Sequence, residues 1–426
     1  MAGQTLSEKL LSRKAGRVVR AGEIAICTVD FALGTDASVP MALDYFDAMG
    51  GTAPLHPAQL VFAFDHYAPA PSAKSALLQA RIRKFASAHA VKVFDVGAGI
   101  GHQLMVEQGY ARPGRLLVGA DSHSVMYGAA GCFATGIGSS DLAAVMMSGK
   151  VWLKVPASIR VELVGKLAAG VGGKDIALAL ARILGADGAA YKTLEFHGDG
   201  IAGLDFDDRL TIANMVIEMG AKNALFPVDA TVREYLASRP MQGVDDSEDA
   251  LTADDDAQYA ERITLDLATV EPNVARPHQV DNVVTVSELE HTPIHMAYLG
   301  TCTGGRVKDF QEALAVLRAH GGPAPGVQLV VTPASREIME ALVRGGELAD
   351  FLAFGAIVVT PGCGSCCGTG GAIPGDGVNV VSTANRNFKG RMGNADANIY
   401  LASPQVCAAS AVAGYLVAPS QLGHRS

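Results

Sequence analysis

Long apolar runs are scarce in this sequence. No stretch reaches the about 20 residues a bilayer span needs, and the opening MAGQTLSEKLLSRKAGRVV lacks the apolar centre of a signal peptide. These absences predict a chain with no membrane helix and no membrane partner. A paired set of cysteines is missing too. The seven present, at 27, 132, 302, 363, 366, 367 and 407, are an odd number in a long chain. That argues against a disulfide framework and for a reducing, cytoplasmic setting. Basic excess is also absent. Charged residues make up 18% and the formal net charge is −9, which argues against nucleic-acid binding and leaves room only for a local basic pocket. No internal repeat or low-complexity tract is found.

What is present is globular. The chain has 426 residues, 49% of them hydrophobic, enough for two or three domains with their own cores. Apolar strand-like runs alternate with helical periodicity: helix 6–20, strand and turn in GEIAICTVDFALGTDAS, helix VPMALDYFDAMG, strand LVFAFDH, helix 72–88, strand VKVFDV. The alternation predicts an α/β fold with helices covering sheets. A composition shift at VPASIRVELVG and an acidic, irregular stretch over 238–282 divide it into domains at 1–156, 157–282 and 283–426. The acid run within that stretch reads as a solvated face.

Chemistry-bearing residues gather at the ends of apolar runs. Asp65 and His66 close LVFAFDH, His102 follows the glycine loop GAGIGH, and Asp121 and His123 sit in DSHS after RLLVGA. VFDVGAGIGH also reads as the glycine loop of a nucleotide- or S-adenosylmethionine-binding domain, with Asp121 as its ribose acid. Asn214 and Glu218, four apart in TIANMVIEMG, are expected on one helix face, where a solvated pair is the plain alternative. Farther on, YLGTCTGGR and VVTPGCGSCCGTGG set Cys302, Cys363 and Cys366 in a C-x60-C-x2-C pattern on glycine-rich turns. Three thiolates can hold a soft metal or a cluster with one position open. The same spacing also suits half a zinc site, a redox pair or buried cysteine. Asn385, Arg386 and Arg391 follow in NRNFKGR, which reads either as a carboxylate clamp or as a basic surface turn.

LGTCTGGR, PGCGSCCG and STANRNFKGR, in this order and spacing, resemble the aconitase superfamily, and the resemblance extends over residues 20–416. It implies three α/β domains of the iron–sulfur type, without the swivelling fourth domain. It implies a [4Fe-4S] cluster held by Cys302, Cys363 and Cys366, with one iron not ligated by protein. Cys367 is left as a packing residue, and Cys27, Cys132 and Cys407 as buried thiols. Asp65, His66, His102, Asp121, His123 and Glu218 become the catalytic set. Asn214, Asn385, Arg386 and Arg391 become the binding set for a small carboxylic-acid substrate. The motifs look most like those of the isopropylmalate, homoaconitase and dimethylmalate relatives, and Pro40 and Gly304 argue against aconitase itself while leaving the substrate open. The serine base of the family lies in a GSSRE-like loop. Here Gly138, Ser139 and Ser140 are followed by Asp141, so a separate small subunit is expected, with residues 368–377 in its contact. The reading is a hydro-lyase large subunit; an iron or redox sensor and a nucleotide-binding transferase are the rivals.

Overall fold

The computed structural model describes residues 3–243, 251–289 and 291–423. Three sheets carry the fold. In the first, five strands run parallel in the order Lys92–Phe94, Leu60–Ala63, Phe31–Thr35, Leu116–Gly119, Phe133–Gly136. Their side chains alternate between two cores. Leu33, Val61, Ala63, Leu117 and Ala134 face one, and Ala32, Leu60, Phe62, Leu116, Val118 and Phe133 face the other. A parallel sheet covered on both sides needs such unbroken apolar runs.

The second sheet is also parallel, in the order Asn223–Leu225, Thr193–His197, Ser158–Val164, Glu261–Asp266. The third has seven strands. Five parallel ones, Asn398–Ala402, Asn379–Ser382, Met296–Gly300, Gln328–Thr332 and Ile357–Val358, are extended by Asn273–Ala275 and Val283–Thr285, which pair antiparallel. One continuous core joins the second and third sheets to one face of the first.

Several expected elements move. The helix expected over 6–20 is Leu6–Ala15, because Gly16 turns left-handed at φ 67° and ends it. The single strand expected after it splits into Ile24–Thr28, paired antiparallel with Lys150–Lys154, and Phe31–Thr35 in the first sheet. Asp30 makes the break: its carboxylate accepts from the Leu116 amide at 2.6 Å and pairs with Lys14 at 2.7 Å. The stretch expected to be irregular contains the strands Glu261–Asp266 and Asn273–Ala275. Alternation in ERITLD was masked by the acid run ahead of it. Residues 244–250 of that run lie outside the described residues. In the described part Asp254 is not merely solvated, since it accepts from the Gln4 amide at 2.7 Å and pairs with Lys9.

Candidate active site

Parallel strands release their chains at one end, and ligand sites form there. Leu60–Ala63 delivers Asp65 and His66. Leu116–Gly119 delivers Asp121, Ser122 and His123. Met296–Gly300 delivers Cys302, Ile357–Val358 delivers Cys363 and Cys366, and Asn379–Ser382 delivers Asn385 and Arg386. His102 lies in the first turn of the helix Gly101–Glu107 rather than in the preceding loop. That loop forms no phosphate cradle. The Gly101 amide donates to the Asp65 carboxylate at 2.7 Å, and the Ile100 amide donates to the Ala334 carbonyl at 2.8 Å. Asp121 is held by histidines and is unavailable to a ribose.

Those histidines and acids form one connected relay. His66 Nδ1 meets Asp65 Oδ1 at 2.7 Å and its Nε2 faces Asp121 Oδ2 at 3.4 Å. Asp121 Oδ1 lies 3.0 Å from His102 Nε2 and 3.5 Å from His123 Nδ1. His123 Nε2 reaches Glu218 Oε1 at 2.9 Å, and Arg386 Nε reaches the two Glu218 oxygens at 2.7 and 3.0 Å. Arg386 Nη2 then donates to Ser122 Oγ at 3.0 Å. At His66, Asp121 and Glu218 burial opposes charge, yet the pairs outweigh it. Asp65 and Asp121 raise His66 well above the usual imidazole range. The histidines hold Asp121 well below the usual carboxylate range, and His123 with Arg386 lowers Glu218.

Asn214 and Glu218 do not share one α-helical face. The helix Phe206–Met215 passes into a 3-10 turn at Val216–Met219, which redirects Glu218 toward His123. Asn214 is fully buried, beside Met126 Sδ at 3.4 Å and accepting from Asn385 Nδ2 at 3.2 Å.

On the other side of Asn385 stand the thiols. Its Nδ2 donates to Cys302 Sγ at 3.4 Å, and its Oδ1 lies 3.6 Å from Cys366 Sγ. Arg391 Nη2 reaches Cys366 Sγ at 3.6 Å. Cys363 Sγ lies within 4.8 Å of ligand atoms on Asp65 and His66, and its amide donates to the Asp65 carbonyl at 2.8 Å. Burial pushes the Cys302 thiol up to about 12 and Cys363 well above its usual value. Thiols so buried become thiolates when a metal takes the proton's place. Ser365 Oγ and Arg391 Nε are buried without partners. Soft donors, amide and guanidinium groups aimed at sulfur, and orphaned donors beside them fit an iron–sulfur cluster. Cys367 faces elsewhere, 2.8 Å from Thr369 Oγ1 and 3.3 Å from the Gly364 carbonyl.

Sequence reasoning missed several members. Tyr127 OH lies 3.0 Å from His102 Nδ1. Asp36 accepts from the His66 and Tyr67 amides at 3.0 Å each and shapes that turn. Arg306 donates to the Cys302 carbonyl at 2.6 Å and to Thr211 Oγ1 at 3.0 Å. Only the Arg in GGR, directly after the first thiol, carried a readable signal. Thr301 was missed too. It precedes Cys302 with φ 75°, a costly left-handed conformation for a β-branched residue and one found mainly at functional sites.

Known proteins resemble this chain over nearly its whole length. The chain is 46% identical over 419 residues to the 3-isopropylmalate dehydratase large subunit 1 of Thermotoga maritima, covering 98% of this chain and 99% of that one. It is 44% identical over 424 residues to the homoaconitase large subunit of Thermus thermophilus, covering 99% and 98%. The 3-isopropylmalate dehydratase large subunit of Elusimicrobium minutum is 43% identical over 419 residues, covering 98% and 99%. The family model described as the aconitase family (aconitate hydratase) matches residues 8–296 and 286–414. With the match running through all three sheets and every residue of the relay, the chain belongs to the aconitase family.

Proposed function

We propose that this chain is the large subunit of an iron–sulfur hydro-lyase that interconverts 2- and 3-isopropylmalate by dehydration and rehydration, in leucine biosynthesis. The observation that carries the reading is the shared segment. Asn385 touches two of the three thiols, and Arg386, the next residue, ends the acid–imidazole relay. Cys302, Cys363 and Cys366 would hold a [4Fe-4S] cluster with one iron not ligated by protein. When bound, that group supplies a Lewis acid for the departing hydroxyl.

The chain's own groups do the rest. Arg386 and Arg391 hold substrate carboxylates, with Asn214 and Asn385 fixing their approach. His66, His102 and His123 orient the hydroxyl and, with Asp65, Asp121 and Glu218, relay a proton to it so that it departs as water. A GSSRE-like serine base does not occur in the sequence. The large-subunit names of the relatives support a separate small subunit, which would bring that base on a swivelling domain. Among the described residues no helix is long and apolar enough to cross a membrane, in keeping with a cytoplasmic setting. Three sheets support a three-domain division at 156/157 and 282/283, although Asn273–Ala275 pairs within the third sheet.

The homoaconitase reading stands second, favoured by the Thermus relative at 44% identity. The experiment reconstitutes the chain anaerobically with a small subunit and compares kcat/KM for isopropylmalate, homocitrate and dimethylmalate. Preference for isopropylmalate is expected. Preference for either other acid would replace the substrate assignment, and robust turnover without a partner would overturn the two-subunit reading.

A further inference from the structure

The backbone just before Asn385 is gripped by a lysine that belongs to neither the relay nor the thiol set. Lys174 lies in the first turn of the helix Gly173–Leu184 and is 3% exposed. Its ammonium donates to the Ala384 carbonyl at 2.5 Å and to the Thr383 carbonyl at 3.1 Å, with Met215 Sδ at 3.8 Å. No carboxylate is among these partners. Its neighbour Asp175 is already used, accepting from the Asn273 and Gly172 amides at 2.9 and 3.1 Å. Burying an ammonium against carbonyls alone is costly. Burial lowers Lys174 to about 8, and thiolates at Cys302 and Cys366, once a metal has replaced their protons, would hold its charge.

The grip is shared. Thr303 Oγ1 donates to the same Thr383 carbonyl at 2.7 Å, and Thr383 Oγ1 bonds the Gly300 amide and carbonyl at 2.9 Å. Thr383 and Ala384 are therefore fixed from the helix, from the Cys302 loop and from the neighbouring strand. Asn385 and Arg386 leave from that fixed point. A plain alternative is that Lys174 only ties a helix to a loop. That account needs hydrogen bonds but no charge, and a neutral donor would meet it at lower cost.

We propose that Lys174 is a positioning residue, whose ammonium fixes the Thr383 and Ala384 carbonyls so that Asn385 stays on Cys302 and Cys366 and Arg386 stays on Glu218 and Ser122, and whose charge offsets that of the ligated thiolates. The proposal rests on the reading of Cys302, Cys363 and Cys366 as ligands. Its test uses the reconstituted two-subunit complex carrying Lys174→Met, which keeps chain length and loses charge and donors. Iron content is expected to stay full, KM to rise by about tenfold or more with a smaller change in kcat, and the reduction potential of the bound cluster to fall. Unchanged KM together with an unchanged potential would overturn the proposal. If Lys174→Met does not fold, Thr303→Val removes the other side-chain donor on the same carbonyl. It is expected to raise KM a few-fold at full iron content, and a wild-type KM there overturns the proposal as well. A wild-type chain that takes up no iron would instead defeat the ligand assignment, and the proposal with it.

Discussion

The relay and the thiol pocket meet at Asn385 and Arg386 but are held in opposite ways. In the relay, acids and imidazoles saturate one another at 2.7 to 3.5 Å, and Ser122, Tyr127 and Asp36 brace the ends. In the thiol pocket the sulfurs make only long contacts, 3.4 to 3.6 Å, and two buried donors beside them lack partners. Charged oxygens and nitrogens in a buried setting gain most from each other, so the protein preorganises them itself. Thiols are weak hydrogen-bond partners and gain most from metal. One half is thus rigid from its own bonds, and the other keeps donors that a bound metal would satisfy.

That contrast breaks first at the proposed ligands. Cys302→Ser, Cys363→Ser and Cys366→Ser are each expected to abolish iron and sulfide uptake, from roughly four irons per chain to near none. Cys367→Ser should retain most of it. Iron and sulfide assays after anaerobic reconstitution read this directly, and full content in the Cys302 variant would remove that residue from the set. Next comes the relay. Asp121→Asn should lower kcat by roughly 10²–10⁴ while leaving iron content unchanged. Parallel loss of iron would show that the two halves are one unit.

Smaller effects sharpen the junction. Arg386→Lys keeps the charge but loses the planar fork on Glu218 and Ser122, so kcat/KM should fall about tenfold or more. Gly304 has no room for a side chain: a Cβ would lie 2.5 Å from Thr383 Cβ, and Thr383 is pinned by its bonds to Gly300. Gly304→Ala should cost roughly 1–3 kcal/mol of stability, seen as a lowered melting temperature.

The smallest effect concerns Glu107, which ends the helix that carries His102 and accepts from Ser335 Oγ at 2.7 Å. Burial raises its carboxyl to about 7, and Oε2 has no partner. Its folded value lies above its unfolded one. Its favourable contribution is therefore complete below the unfolded range near 4.5 and is lost as pH rises through about 7. Glu107→Gln should accordingly melt higher than the parent above pH 7, by about 1 kcal/mol, and lose that advantage near pH 5. An equal difference at both values would sink the titration argument.

Much of this site was readable along the chain. Asp65, His66, Asp121 and His123 stand just past apolar runs, and in a parallel sheet the ends of such runs converge. The glycine turns around Cys302, Cys363 and Cys366 mark places where backbone comes close to something bound. Lys174 gave no sign, because a lysine in the first turn of a helix normally faces water. Tyr127 and Asp36 were hidden in the same way, each ordinary in its own segment. The 3-10 turn at Val216–Met219 was unreadable too, since four residues of helical sequence look alike in either geometry.

The sequence by itself determined the strands that lead to Asp65 and Asp121, the residues at their ends, and the three thiols on glycine-rich turns, but not the strands Glu261–Asp266 and Asn273–Ala275. These follow from local periodicity and composition, which act over a few residues. Only the tertiary structure decided that Glu218 turns from its helix to join His123 and Arg386, that Asn385 spans two thiols, and that Lys174 reaches across 210 residues to the Ala384 carbonyl. Those pairings depend on how the three sheets pack against one another, and packing is settled by the fit of whole surfaces rather than by any one stretch of chain.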